Sequence, residues 1–155
     1  MDDQDERITL NVTLDQARAV VDALDLMTRV GLGQLSAVAE LVRMDVLPAF
    51  RMNGSSDAHP ERRVATIDQC DEIEELMVQA KTVLGFPRNA SHGVGHPDNH
   101  VSVHRAYEVM KVLQKVLHEA SNGWEGSTRG DGLMVRYTDD PEPEAEIVYP
   151  PTVRQ

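Results

Sequence analysis

Four of the six histidines in this 155-residue chain fall in one stretch, RNASHGVGHPDNHVSVH (88–104), at positions 92, 96, 100 and 104. A spacing of four puts residues on one face of an α-helix, where paired imidazoles can chelate zinc. Gly93, Gly95 and Pro97 stand between the first three histidines. An interior proline costs a helix about 3 kcal/mol, so an irregular loop is expected over 88–99, with a helix entered near His100. Only His100 and His104 then share a helical face. A metal site built on His96, His100 and His104 is the weaker alternative, because it needs a further ligand and a supporting shell, and no HExxH pattern occurs.

The same stretch suits an anion better. Ala90, Ser91, Gly93 and Gly95 are small enough to leave backbone N–H groups accessible, and such backbone concavities attract phosphate. Arg88 and Arg105 flank the loop, and histidine becomes cationic readily beside a bound phosphate. The expected ligand-binding set is Arg88, Asn89, Ser91, His92, Gly93, Gly95, His96 and Arg105. Arg129 joins it from a second polar loop, Gly126-Ser-Thr-Arg-Gly-Asp-Gly132. The pattern matches neither the Walker motif nor GxGxxG, and the competing reading is a solvated polar loop. Ser91 beside His92 makes no triad by adjacency alone. No catalytic residue and no cofactor are assigned.

The loops need elements to position them. Residues 7–14, RITLNVTL, alternate apolar and polar positions and predict a strand. Thr13-Leu-Asp-Gln16 is a capping-box pattern that opens a first helix. Its apolar stripe, from Ala17 and Val20 to Val38 and Val42, keeps phase through Gly31 and Gly33. The helix therefore either continues to about Asp45 or kinks or breaks at 31–33, each interior glycine costing roughly 1 kcal/mol. Residues 48–63 read as an exposed connection. A second capping box, Thr66-Ile-Asp-Gln69, opens a helix over about 67–84 that Gly85 and Pro87 end. Glu72, Glu74, Glu75 and Lys81 read as its solvated face. A third helix is predicted over about 100–121, and the segment around LMVRYT and EIVY reads as a hairpin. The expected fold class is α+β: three long amphipathic helices packed on a small antiparallel sheet of the N-terminal strand and the C-terminal hairpin. Residues 1–138 would form one domain, followed by an acidic, proline-rich segment, 139–155, with a short strand at 145–149.

Fifteen basic against 26 acidic residues give a formal charge of −11, which disfavours nucleic acid as a partner because phosphate affinity comes largely from Lys and Arg. The acidic ends, DDQDE (2–6) and DDPEPEAE (139–146), read as solvated tails, with an acidic protein-binding inhibitor or DNA mimic as the alternative. Cys70 is the single cysteine, so no intrachain disulfide can form. No apolar run reaches the length of a membrane span. A cytoplasmic protein is expected.

In ALDLMTRVGLGQL (23–35), FPRNASHGVGHP (86–97) and HRAYEVMKVLQ (104–114) the chain resembles a group of small, mostly uncharacterised proteins encoded by bacteriophages and prophages. The resemblance covers most of residues 8–121; the segment 123–155 adds nothing to it. It implies an accessory factor acting in the host cytoplasm, and the group carries no enzyme motif. By analogy of logic, not of sequence, such a factor is similar to sponges that counter bacterial defence by sequestering nucleotide immune signals in a compact homo-oligomer. The expected role is thus non-enzymatic sequestration of an anionic small molecule at a homo-oligomer interface, with a His-ligated metal-dependent hydrolase as the enzymatic alternative.

Overall fold

The computed structural model describes residues 8–51, 61–120, 137–140 and 142–148. It is mostly helical, with helices α1 (Leu14–Gly31), α2 (Ala37–Arg43), α3 (Ile67–Val83) and α4 (Val101–Ala120), and a two-stranded antiparallel sheet of β1 (Ala49–Arg51) and β2 (Glu61–Arg63). The fold is broadly α+β, but the expected arrangement is corrected in three respects. Among the described residues there are four helices, because the first apolar stripe is cut at Gly31–Gly33 into α1 and α2. The sheet comes from the stretch read as an exposed connection, with Phe50 opposite Arg62. The predicted N-terminal strand is absent: residues 8–13 form no regular structure, and Ile8 is 96% and Leu10 70% exposed. Alternation signals capacity for pairing only, and a strand without a partner does not form. Of the expected C-terminal hairpin, residues 133–136 lie outside the described residues, and 142–148 carry no strand.

The chain divides into two compact units, Arg29–His96 and the combination of Met1–Thr28 with Pro97–Gln155. In the first, α2 packs on α3. Ala37, Ala39 and Val42 are buried on α2 and Cys70 on α3, small side chains that allow close approach. Arg43 ties the two helices together from outside through Glu74, and through Asp71 at 3.4 Å.

All three helices that end in this unit close in the same way. The amide of Gln34 donates to Arg29 O (2.9 Å) and that of Gly33 to Val30 O (3.0 Å), the two bonds of a Schellman motif. Val46 and Asp45 bond Leu41 and Val42 likewise after α2, and Phe86 and Gly85 bond Lys81 and Thr82 after α3. The residue at the left-handed position is Gly33 (φ 83°), Asp45 (φ 57°) or Gly85 (φ 88°). Asp45 is tolerated there because short polar side chains bear that conformation best, and its carboxylate pairs with Arg62 of β2 at 2.7 Å.

In the second unit α1 starts on the predicted capping box. Thr13 N donates to Gln16 Oε1 (2.9 Å) and Gln16 N to Thr13 Oγ1 (3.2 Å). Helix α4 buries Val103, Ala106, Met110 and Leu117, together with Glu108, only 2% exposed. That carboxylate is compensated by the chain Tyr137–Thr138. Its Oε1 accepts from Tyr137 N (2.6 Å) and Thr138 N (2.9 Å), and its Oε2 accepts from Thr138 Oγ1 (2.7 Å). Tyr137 also lies against the rings of His104 and Tyr107. Among the described residues no helix is long and apolar enough to cross a membrane.

Two expectations follow for stability. A Cβ on Gly33 would lie 2.6 Å from Phe86 Cδ1 and Cε1, while one on Gly85 would meet nothing within 4 Å. In urea titrations Gly33→Ala should lose roughly 2–4 kcal/mol, strain plus overpacking, and Gly85→Ala only about 1 kcal/mol, the strain alone. Glu108→Ala strands two amide donors and should cost about 2–4 kcal/mol and speed amide exchange at Tyr137 and Thr138. Glu108→Gln keeps one oxygen to accept from both amides and an NH2 to bond Thr138, so protection at these two amides should largely survive.

Candidate functional site

The loop 88–96 follows directly from the end of α3 and belongs wholly to the unit Arg29–His96. Its position is set from below. Phe86, the residue after the left-handed Gly85, lays its ring over Gly33, where only a hydrogen leaves room. The His92 amide donates to Leu32 O at 2.9 Å, tying the loop to the α1–α2 turn. Lys81 of α3 is buried and its ammonium reaches Arg88 O at 3.5 Å. It is thus no part of a solvated face, in correction of the sequence reading. Short backbone bonds, Ala90 N to Pro87 O (3.3 Å) and His96 N to Gly93 O (3.0 Å), shape the remainder.

Above this support the expected ligand-binding residues separate into groups. Arg88, Asn89, Ser91, Gly93 and Gly95 are exposed. His92 and His96 are half-buried and stacked, with centroids 3.8 Å apart and planes 13° from parallel, and Phe86 packs on His92 at 4.9 Å. The four-residue histidine spacing thus brings two imidazoles together through a loop, not through a helix. Arg105 lies on α4 in the other unit, where it grips Asp140 through Nε and through Nη2 (3.0 Å). Arg129 lies outside the described residues.

The remaining histidines are local to α4. His100 caps the helix, its Nδ1 accepting from Ser102 N (3.2 Å) and lying 2.8 Å from Ser102 Oγ. The buried His104 Nε2 has no hydrogen-bond partner. Among the described residues no three His, Cys, Asp or Glu side chains stand together in a way that could hold a metal ion, so His96, His100 and His104 make no such group.

The charged centre of the loop is Arg88. Its Nη1 and Nη2 donate to Glu75 Oε1 (3.1 Å) and Oε2 (2.6 Å) on α3, a bidentate fork on the exposed rim. This fork is how guanidinium takes a carboxylate or a phosphate. The Arg88 hydrogen bonds, followed by one from Gln79, hold the Glu75 carboxyl below its ordinary range. Sequence reasoning missed Glu75, Lys81, Phe86 and Gly33 as determinants of the site. For Glu75 a signal existed, since 75 and 79 are one helical turn apart on the face that leads to the loop.

Because the Glu75 value is depressed, the pair favours the fold above the ordinary carboxylate range, and that contribution is lost as pH falls through the lowered value. Both partners are exposed, so the gain is small. In a carboxyl NMR titration Glu75 should titrate below the ordinary glutamate value, and Arg88→Ala should raise its midpoint towards that value.

Compared with known proteins, the chain matches no family model, no curated protein and no solved structure.

Proposed function

We propose that the protein binds and sequesters a phosphate-bearing small molecule, a nucleotide immune signal, as a phage accessory factor that works by holding its ligand. The single observation that supports this reading is the Arg88 fork, presented at the rim of a loop anchored from beneath by Phe86, Lys81 and the Leu32 carbonyl. An anchored loop has less conformational freedom to lose on binding, which raises affinity without new contacts. A phosphate displaces Glu75 from the fork, Asn89 and Ser91 hydrogen-bond the ligand, and the stacked pair His92–His96 walls one side.

Calorimetric titration with cyclic dinucleotides and ADP-ribose derivatives tests the reading. At least one should bind, Arg88→Ala should weaken it tenfold or more, and Glu75→Gln should tighten it by removing the competing carboxylate. Flat traces across the panel would remove the proposal. An unchanged affinity in Arg88→Ala would remove the site.

A further inference from the structure

The smallest element of the fold is a two-stranded ribbon. Strands β1 and β2 have three residues each, and within the described residues they pair only with one another. A two-stranded ribbon is marginal in water, and a third strand or a covering layer is what normally secures one. Here all three residues of β2, Glu61, Arg62 and Arg63, are exposed. Beside them Val64 is 64% and Phe50 51% exposed. An open strand edge next to exposed apolar side chains is a template for another strand.

The order of charges in β2 says which strand fits. When Glu-Arg-Arg pairs antiparallel with a second Glu-Arg-Arg about a two-fold axis through the middle residue, Glu61 stands opposite Arg63 of the other copy. By symmetry Arg63 stands opposite the other Glu61. Residues 61 and 63 lie on one face of the strand, so both unlike pairs form side by side. The middle position brings two Arg62 side chains opposite one another, and each already carries its own counter-charge, the Asp45 carboxylate at 2.7 Å. A strand that complements itself in this way suits an isologous dimer.

We infer that the outer edge of β2 is a homodimer interface, on which a second copy of this chain adds its own β2 to form a four-stranded antiparallel sheet. The pairing uses nothing from the loop 88–96, so it stands or falls apart from the ligand reading.

The test is sedimentation of the full chain over a concentration series, with Glu61→Arg and Arg63→Glu made separately. Either substitution turns both unlike pairs into like-charge pairs, so each variant alone should self-associate roughly tenfold or more weakly than the native chain. An equimolar mixture of the two should recover association, because every 61–63 position then again faces its opposite charge. A native chain that stays monomeric at every concentration would overturn the inference. So would single variants that associate as the native chain does, or a mixture that stays as weak as its components.

Discussion

Between α1 and α2 the chain turns on a glycine whose missing side chain is replaced by a ring from elsewhere in the sequence. Gly33 takes the left-handed conformation that closes α1, and Phe86 occupies the space its Cβ would fill. The two demands are independent, one steric and local, the other set by a partner more than fifty residues away. Their coincidence determines the rest of the unit Arg29–His96. The helix must stop, α2 is released to lie on α3, and the end of α3 is held where Phe86 can reach the turn. The next loop then begins at a fixed point, and the Leu32 carbonyl of the turn receives the His92 amide. The loop carrying Arg88 is therefore positioned by backbone geometry before any of its own polar side chains contributes.

Energetically the structure divides its polar interactions into two kinds. The pairs Arg29–Glu40, Arg43–Glu74, Arg62–Asp45 and Arg88–Glu75 all have partly or largely exposed side chains. Exposed pairs contribute little to stability, so they orient elements more than they stabilise them. Glu108 differs. A carboxylate 2% exposed loses most of its hydration, and three hydrogen bonds to residues 137 and 138 are what make its burial tolerable. It is an obligatory partner for that short segment, whereas Arg105–Asp140 on the rim can be exchanged for solvent at little cost.

What the sequence disclosed follows from the range of the forces concerned. Helix starts were legible because a capping box is written within four residues, and Thr13–Gln16 and Thr66–Gln69 both form as patterned. The break at Gly31–Gly33 was ambiguous because the apolar stripe runs through it in phase. What decides it is Phe86, whose packing on Gly33 no local pattern encodes. The N-terminal alternation misled for the opposite reason, since a real local pattern found no strand to pair with among the described residues. The ribbon was missed because three-residue strands carry no period. At the site, the glycines and proline correctly divided loop from helix, while the pairing of Arg88 with Glu75 depends on where α3 ends relative to its own face.

That pairing also shapes what the proposed ligand role requires. In a chain of formal charge −11 the long-range field opposes an incoming anion, but salt screens it beyond about 8 Å under physiological conditions. Recognition must therefore be local, and at Arg88 the ligand competes with a carboxylate already in bidentate contact. A singly charged anion offers the fork little that Glu75 does not. A nucleotide with two phosphates brings greater total charge and further acceptor oxygens, which the exposed Asn89 and Ser91 can bond while the guanidinium changes partners. Glu75 then acts as a threshold: it keeps the fork preformed and occupied in the absence of ligand, and yields only to an anion that makes more contacts than it does. On the proposed reading, the carboxylate that opposes every anion at Arg88 is also what would discriminate among them.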